Sequence, residues 1–206
     1  MKDHASQLTI NTQVNEADIR KRLGRLAYKS GAVMARASNR AVRHGKTVIA
    51  RETSSRYRIK QSTINDKKYC KPNWAKASAP TASLIYTGHN RNLSTWQSGV
   101  SPFKVIEWDN DEPNVKVYSA SVMRKSGFHK LTEEPKSFLQ MTRNGFVGMF
   151  RRKSEKRNAK LEGVGGPAVP QIVKNKEIMD KFNTESSTEI QKRLKHEIDR
   201  VLRGSG

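Results

Sequence analysis

The residues that most suggest chemistry are the glycines of residues 161–173, LEGVGGPAVPQIV. A phosphate-binding loop of the G-x-x-x-x-G-K-[ST] kind needs a lysine for the terminal phosphates and a hydroxyl for Mg²⁺. Here Gly163, Gly165 and Gly166 lead instead into Pro167, Ala168, Val169 and Pro170. The two prolines also remove N–H donors that an anion would use. A dinucleotide-binding turn would require a helix to open directly after the glycines. That leaves the stretch to be explained by the rest of the chain; locally, its glycines permit sharp reversal and Pro167 and Pro170 restrain φ.

Other candidates carry little chemistry. His4, His44, His89, His129 and His196 fall in different segments, with no H-x-x-x-H pair. Asp109, Asp111 and Glu112 lack the twelve-residue loop that Ca²⁺ would need, and read as a polar turn. Cys70 is the single cysteine, which excludes an internal disulfide framework and fits a reducing compartment. No G-x-S-x-G, H-E-x-x-H or paired-carboxylate arrangement occurs. The expectation is a chain that is not an enzyme and takes no metal or other cofactor.

Charge points elsewhere. The chain has 206 residues, 40 Lys and Arg against 19 Asp and Glu, and a net charge of +21. A field of that size favours polyanions, whether nucleic acid, an anionic surface or an acidic partner. Hydrophobic residues make up 34%, little to offset chain entropy, so an extended protomer completed partly by neighbours is expected. The first residues show no apolar leader and no window is apolar enough to span a bilayer, so a soluble protein without membrane association is expected.

The elements that must position these charges follow from periodicity. Residues 1–16 alternate loosely and suggest one strand or an arm. Asn15 ahead of Asp18 is a helix start. From residue 17 the positions Ile19, Leu23, Leu26, Val33, Met34, Ala37, Ala41 and Val48 share one helical face, within a basic helical segment spanning residues 17–66. A continuous helix to Glu52 would be about 54 Å long, with Gly24, Gly31 and Gly45 as places to break or kink it. Beside the apolar face, Arg22, Arg25, Lys29, Arg36, Arg40 and Arg43 line up on a straight helix. Residues 17–76 hold 17 cations against three acids, too one-sided for a face built on i,i+4 ion pairs. The stripe is therefore a candidate contact for DNA or an acidic partner, against the plainer reading of a solvated flank.

Thr53 or Ser54 can end that helix, and a shorter one follows. With Arg56, Arg58 and Lys60 beside "IKQSTI", the pair suggests a helix-turn-helix, hence an alternative reading as a free DNA-binding protein. Residues 67–81 are a basic connector. Residues 82–174 change to a period of two in short runs such as SLIYTG, FKVIEWD, VKVYSASVM, SFLQM and GFVGMF, an antiparallel sheet of four or five strands. Asn144-Gly145 marks a hairpin turn. Residues 175–206 form a closing amphipathic helix with Ile178, Met179, Phe182, Ile190, Leu194, Ile198 and Val201 on its apolar face, and Gly204 at its stop. The fold class is α+β: a long basic N-terminal helix, a small antiparallel sheet and a C-terminal helix, in one structural domain with extensions.

This order of parts resembles the prophage minor tail protein Z family, tail-completion or neck proteins of long-tailed bacteriophages. The resemblance runs from about residue 17 to 203. Its most specific pieces are ARET at 50–53, the hairpin from Phe138 to Arg151 around Asn144-Gly145, and GPAVPQ at 166–171, with Gly166, Pro167, Pro170 and Gln171 as the structural motif. The acidic stretch at 107–112 and the additional N-terminal residues depart from the family pattern. The resemblance implies a virion protein, assembled in the host cytoplasm and placed at the head-proximal end of the tail. It implies a homo-oligomeric ring, six-fold symmetry favoured, between the tail tube or its terminator and the head connector. Non-specific contact with genomic DNA would accompany that position. It carries over no catalytic residue.

Overall fold

The computed structural model of the chain describes residues 6–11, 15–93, 103–109 and 112–204, with side chains for 15–93 and 118–204. Strand β1 (Ser6–Asn11) precedes helix α1 (Glu16–Leu23), a 3₁₀ segment (Gly24–Lys29) and helix α2 (Ser30–Arg56). Then come α3 (Gln61–Ile64), β2 (Cys70–Asn73), β3 (Ser83–Gly88), β4 (Arg91–Asn92), β5 (Phe103–Asp109), β6 (Glu112–Ala120) and β7 (His129–Lys130). The chain closes with β8 (Phe138–Met141), β9 (Val147–Arg152), β10 (Leu161–Gly163), β11 (Gly165–Gly166), α4 (Val169–Val173) and α5 (Lys176–Leu202).

Asn15 caps α1, its Oδ1 accepting from the N–H groups of Ala17 and Asp18 at 3.1 and 3.3 Å. The long helix then breaks. Gly24 adopts φ +53°, a left-handed conformation open to glycine at little cost, and the 3₁₀ segment redirects the chain. The expected continuous helix of about 54 Å is therefore two helices, the second about 40 Å long at 1.5 Å per residue. Gly31 and Gly45 do not break α2. A Cβ at Gly31 would strike the Ala77 carbonyl, and one at Gly45 would strike the Phe182 ring. Close packing keeps those two positions small. Thr53 does not end the helix either: it is buried inside α2, which runs on to Arg56 before Tyr57 turns extended.

α2 and α5 form the frame. They run antiparallel, since Arg36 meets Glu197, Arg51 meets Glu185 and Arg56 meets Glu177. One apolar cluster joins Ile19, Leu23, Val33, Met34, Ala37 and Ala41 to Ile190, Leu194, Ile198 and Val201. The other gathers Val42, Ile49, Ile59, Ile64, Leu84, Tyr86, Met149, Ile172, Ile178 and Phe182. Helix α5 starts on Asn175 as its cap and stops where Gly204 takes φ +77°.

Among the described residues the strand pairings are antiparallel, and the strands do not join into one sheet. They form small ones, ordered β1-β3-β2, β10-β9-β8, β11-β4 and β5-β6-β7. Period-two runs specify which face of each strand is apolar and leave strand partners open. Here short ribbons wrap one core from several sides. The connector expected at 67–81 contains an edge strand, β2, with Cys70 paired to Tyr86 and Pro72 to Leu84. The hairpin at 138–152 forms as expected around Gly145, φ +73°. Asn144 keeps negative φ, because the turn needs one left-handed residue after a tight bend. The acidic stretch 107–112 takes in the end of β5 and the first residue of β6; its side chains lie outside the described ones, as do residues Asp111 and His4.

Candidate polyanion-binding surface

The fold disperses the basic stripe. Rotation counted at 100° per residue fails once Gly24 resets the backbone, so Arg22, Arg25 and Lys29 do not continue the line of α2. Arg22 lies 3.8 Å from Asp18 within α1, and Lys29 sits beside the Tyr28 ring at 6.0 Å. Arg25 is exposed. On α2, Arg36 reaches the helix seam with its side chain 41% exposed. Its Nε is 3.0 Å from Glu197 Oε2, a carboxylate 6% exposed on α5. Arg200 approaches the same oxygen at 3.0 Å. A buried carboxylate thus meets two part-exposed guanidinium groups at the rim of the helix seam. Arg40 remains exposed, and Arg43 stacks on Trp74, 5.2 Å from the ring centre.

That last contact belongs to a built feature. Gly31, Ala35, Asn39 and Arg43 follow at intervals of four, one ridge of α2. Residues 73–80 lie along it. The Asn39 amide donates to the Ala75 carbonyl at 3.1 Å, and its Oδ1 accepts from the Ala75 N–H at 2.8 Å. The Ala77 carbonyl packs on Gly31, and Lys76 and Ala79 exchange backbone hydrogen bonds at 3.0 Å. Thus a loop is fixed along the helix, and it holds Trp74 43% exposed next to Arg43. Composition marks this stretch as a basic connector, but its order depends on Asn39, more than thirty residues away.

Residues 166–171 form the joint behind the sheets. Gly166 pairs with Arg91 in β11–β4. Pro170 is buried near the start of α4 and sits against Gly88 at the end of β3. Proline in a first helical turn forfeits no hydrogen bond. Gln171 Oε1 accepts from the Ala168 N–H at 2.7 Å. Asn92 completes the joint, donating to the Met149 carbonyl at 2.8 Å and accepting from its N–H at 2.9 Å. In front of this joint an open cleft of about 460 Å³ is lined by Lys68, Tyr69, Gly88, His89, Arg91 and Phe146. Arg91 and Lys68 stand over the Tyr69 ring at 5.3 and 5.6 Å. Neither Tyr69 nor Phe146 stands out in the sequence, because their proximity depends on the joint.

The helix-turn-helix alternative finds little geometry. Its second helix, α3, has four residues, one turn, too short to lie in a major groove as a recognition helix. Arg56 pairs with Glu177 and Arg58 stacks on Phe128 while reaching Ser121 at 3.2 Å. Lys60 is exposed. Among the described residues no group of three metal-ligating side chains comes together, and no helix is long and apolar enough to cross a membrane. His44 faces Glu185 at 3.4 Å. Burial pushes the Cys70 thiol above its usual pKa, which leaves it protonated and weakly nucleophilic. Comparison of the chain with protein-family models, curated proteins and solved structures gives no match.

Proposed function

We propose that this chain is a structural protein of long-tailed phage particles, completing the head-proximal end of the tail and joining it to the head connector. In this reading it acts as a homo-oligomeric ring around the DNA channel, with no reaction to catalyse. The observation that carries the reading is the GPAVPQ segment, whose residue types resemble the family's connector. Its folding supports a mechanical role: Gly166, Pro170 and Gln171 each hold a neighbouring element in place. The charge of +21 supplies the second support. Copies of so basic a chain repel one another unless DNA or acidic subunits lie between them.

Residue roles follow from this. Pro167 and Pro170 restrain φ in the segment that links the sheets to the closing helix. Exposed cations such as Arg25 and Arg40 meet phosphates or acidic neighbours, while Arg36 holds α2 to α5. Light scattering on the purified full chain tests the oligomer. A closed ring is expected, and a strict monomer also missing from purified particles overturns the reading.

A further inference from the structure

We propose that the edge formed by β2 and residues 73–80 is a binding surface for single-stranded nucleic acid, with Trp74 as its stacking platform. The inference goes beyond the particle reading and does not depend on it. Residues 53–93 hold eight cations and one acid, and that acid, Asp66, is spent locally, accepting from the Lys68 N–H at 2.8 Å. On β2, Cys70 faces the core while Lys71 and Asn73 alternate outward. Lys76 is exposed just beyond, so Lys71, Trp74, Lys76 and Arg43 gather around one short stretch of chain.

A plainer role exists for part of this set. Lysine and proline on an edge strand guard against pairing with other strands, and Lys71 and Pro72 serve that end. Such a guard gives no reason for an exposed indole in a loop fixed by Asn39 and Gly31. Fixing the loop lowers the entropy lost when a ligand orders it. An aromatic ring among cations matches unpaired bases, whose faces stack while their phosphates meet the lysines. Duplex DNA offers phosphates but keeps its base faces covered.

The test uses the full-length chain and a labelled oligothymidylate of about 20 nucleotides, long enough to span such a surface. Affinity is measured by fluorescence anisotropy over a range of salt. W74A is expected to bind roughly ten-fold more weakly with an unchanged salt slope, and W74F to keep most of the affinity. K71Q/K76Q is expected to flatten the log–log slope by about 1.4. Both lysines are exposed, so this variant reads the surface in an intact fold even if W74A lowers stability. Equal affinity of W74A and wild type, tighter binding to a duplex of the same length, or no binding at all overturns the proposal. A ring that ignores oligothymidylate keeps the particle reading and removes this one, and a strict monomer, missing from purified particles, that binds it does the reverse.

Discussion

Arg36 and Arg40 look alike in sequence and differ in work. Arg36 neutralises a carboxylate that the seam between α2 and α5 keeps 6% exposed. Replacing it with glutamine leaves Glu197 with Arg200 alone among its close guanidinium partners; because the Arg36 side chain is itself 41% exposed and screened by solvent, R36Q should lose about 0.5–2 kcal/mol in urea unfolding, between an exposed pair and a buried one. R40Q, at an exposed position, should stay within about 0.5 kcal/mol. Equal effects would return both to a solvated flank. The Arg151 guanidinium, hydrogen-bonded at 2.6 Å, holds the Glu162 carboxyl below its usual range. A carboxylate with a depressed folded pKa contributes stability that is present above its unfolded pKa and lost as pH falls through the folded value. Unfolding midpoints followed downward from pH 6 should therefore drop less steeply in E162Q than in wild type. Parallel curves would show that the pair adds nothing.

Among the elements, the tightest fit is between α2 and α5 at Gly45. The Phe182 ring lies where a Cβ would stand. G45A gains about 1 kcal/mol of helix propensity and overpacks the seam by about 1–3 kcal/mol, so a net loss of up to about 2 kcal/mol is expected. Adding F182L should cost less than the sum of the two single changes, because the smaller side chain vacates the contested space. At the joint, P170G frees φ and removes the packing on Gly88, with an expected loss of about 1–2 kcal/mol. The isolated protein should remain soluble while its incorporation into particles falls; unchanged incorporation would show that the rigidity has no role. The periodic elements were legible in the chain. Asn15, Gly204 and the apolar positions of α5 lie where their residue types place them, since caps and amphipathic faces are local. The straight stripe was not, because Gly24 turns the backbone left-handed and cancels the angular count. β2 escaped as well: KPN carries no β-branched residue, and its pairing with β3 is made from across the sheet. The Trp74 surface rests on Asn39, a contact that no local pattern encodes.

For the whole molecule, the frame of two antiparallel helices presents small ribbons and a dispersed positive charge. Arg36 and Arg56 are engaged by α5 carboxylates, so the charge available to partners lies on exposed cations such as Arg25 and Arg40, on the edge around β2, and on other exposed positions such as Lys153, Lys156 and Arg157. A ring of six such chains would have a mass of six times 23.3 kDa, about 140 kDa, and its repulsion makes assembly depend on salt and on an acidic neighbour. In the proposed function, the chain joins tails to heads. Electron micrographs of lysates from a phage lacking this chain test it most directly. Filled heads and separate tails are expected, with joining restored when the purified full-length chain is added. Intact, infectious particles formed without the chain would contradict it.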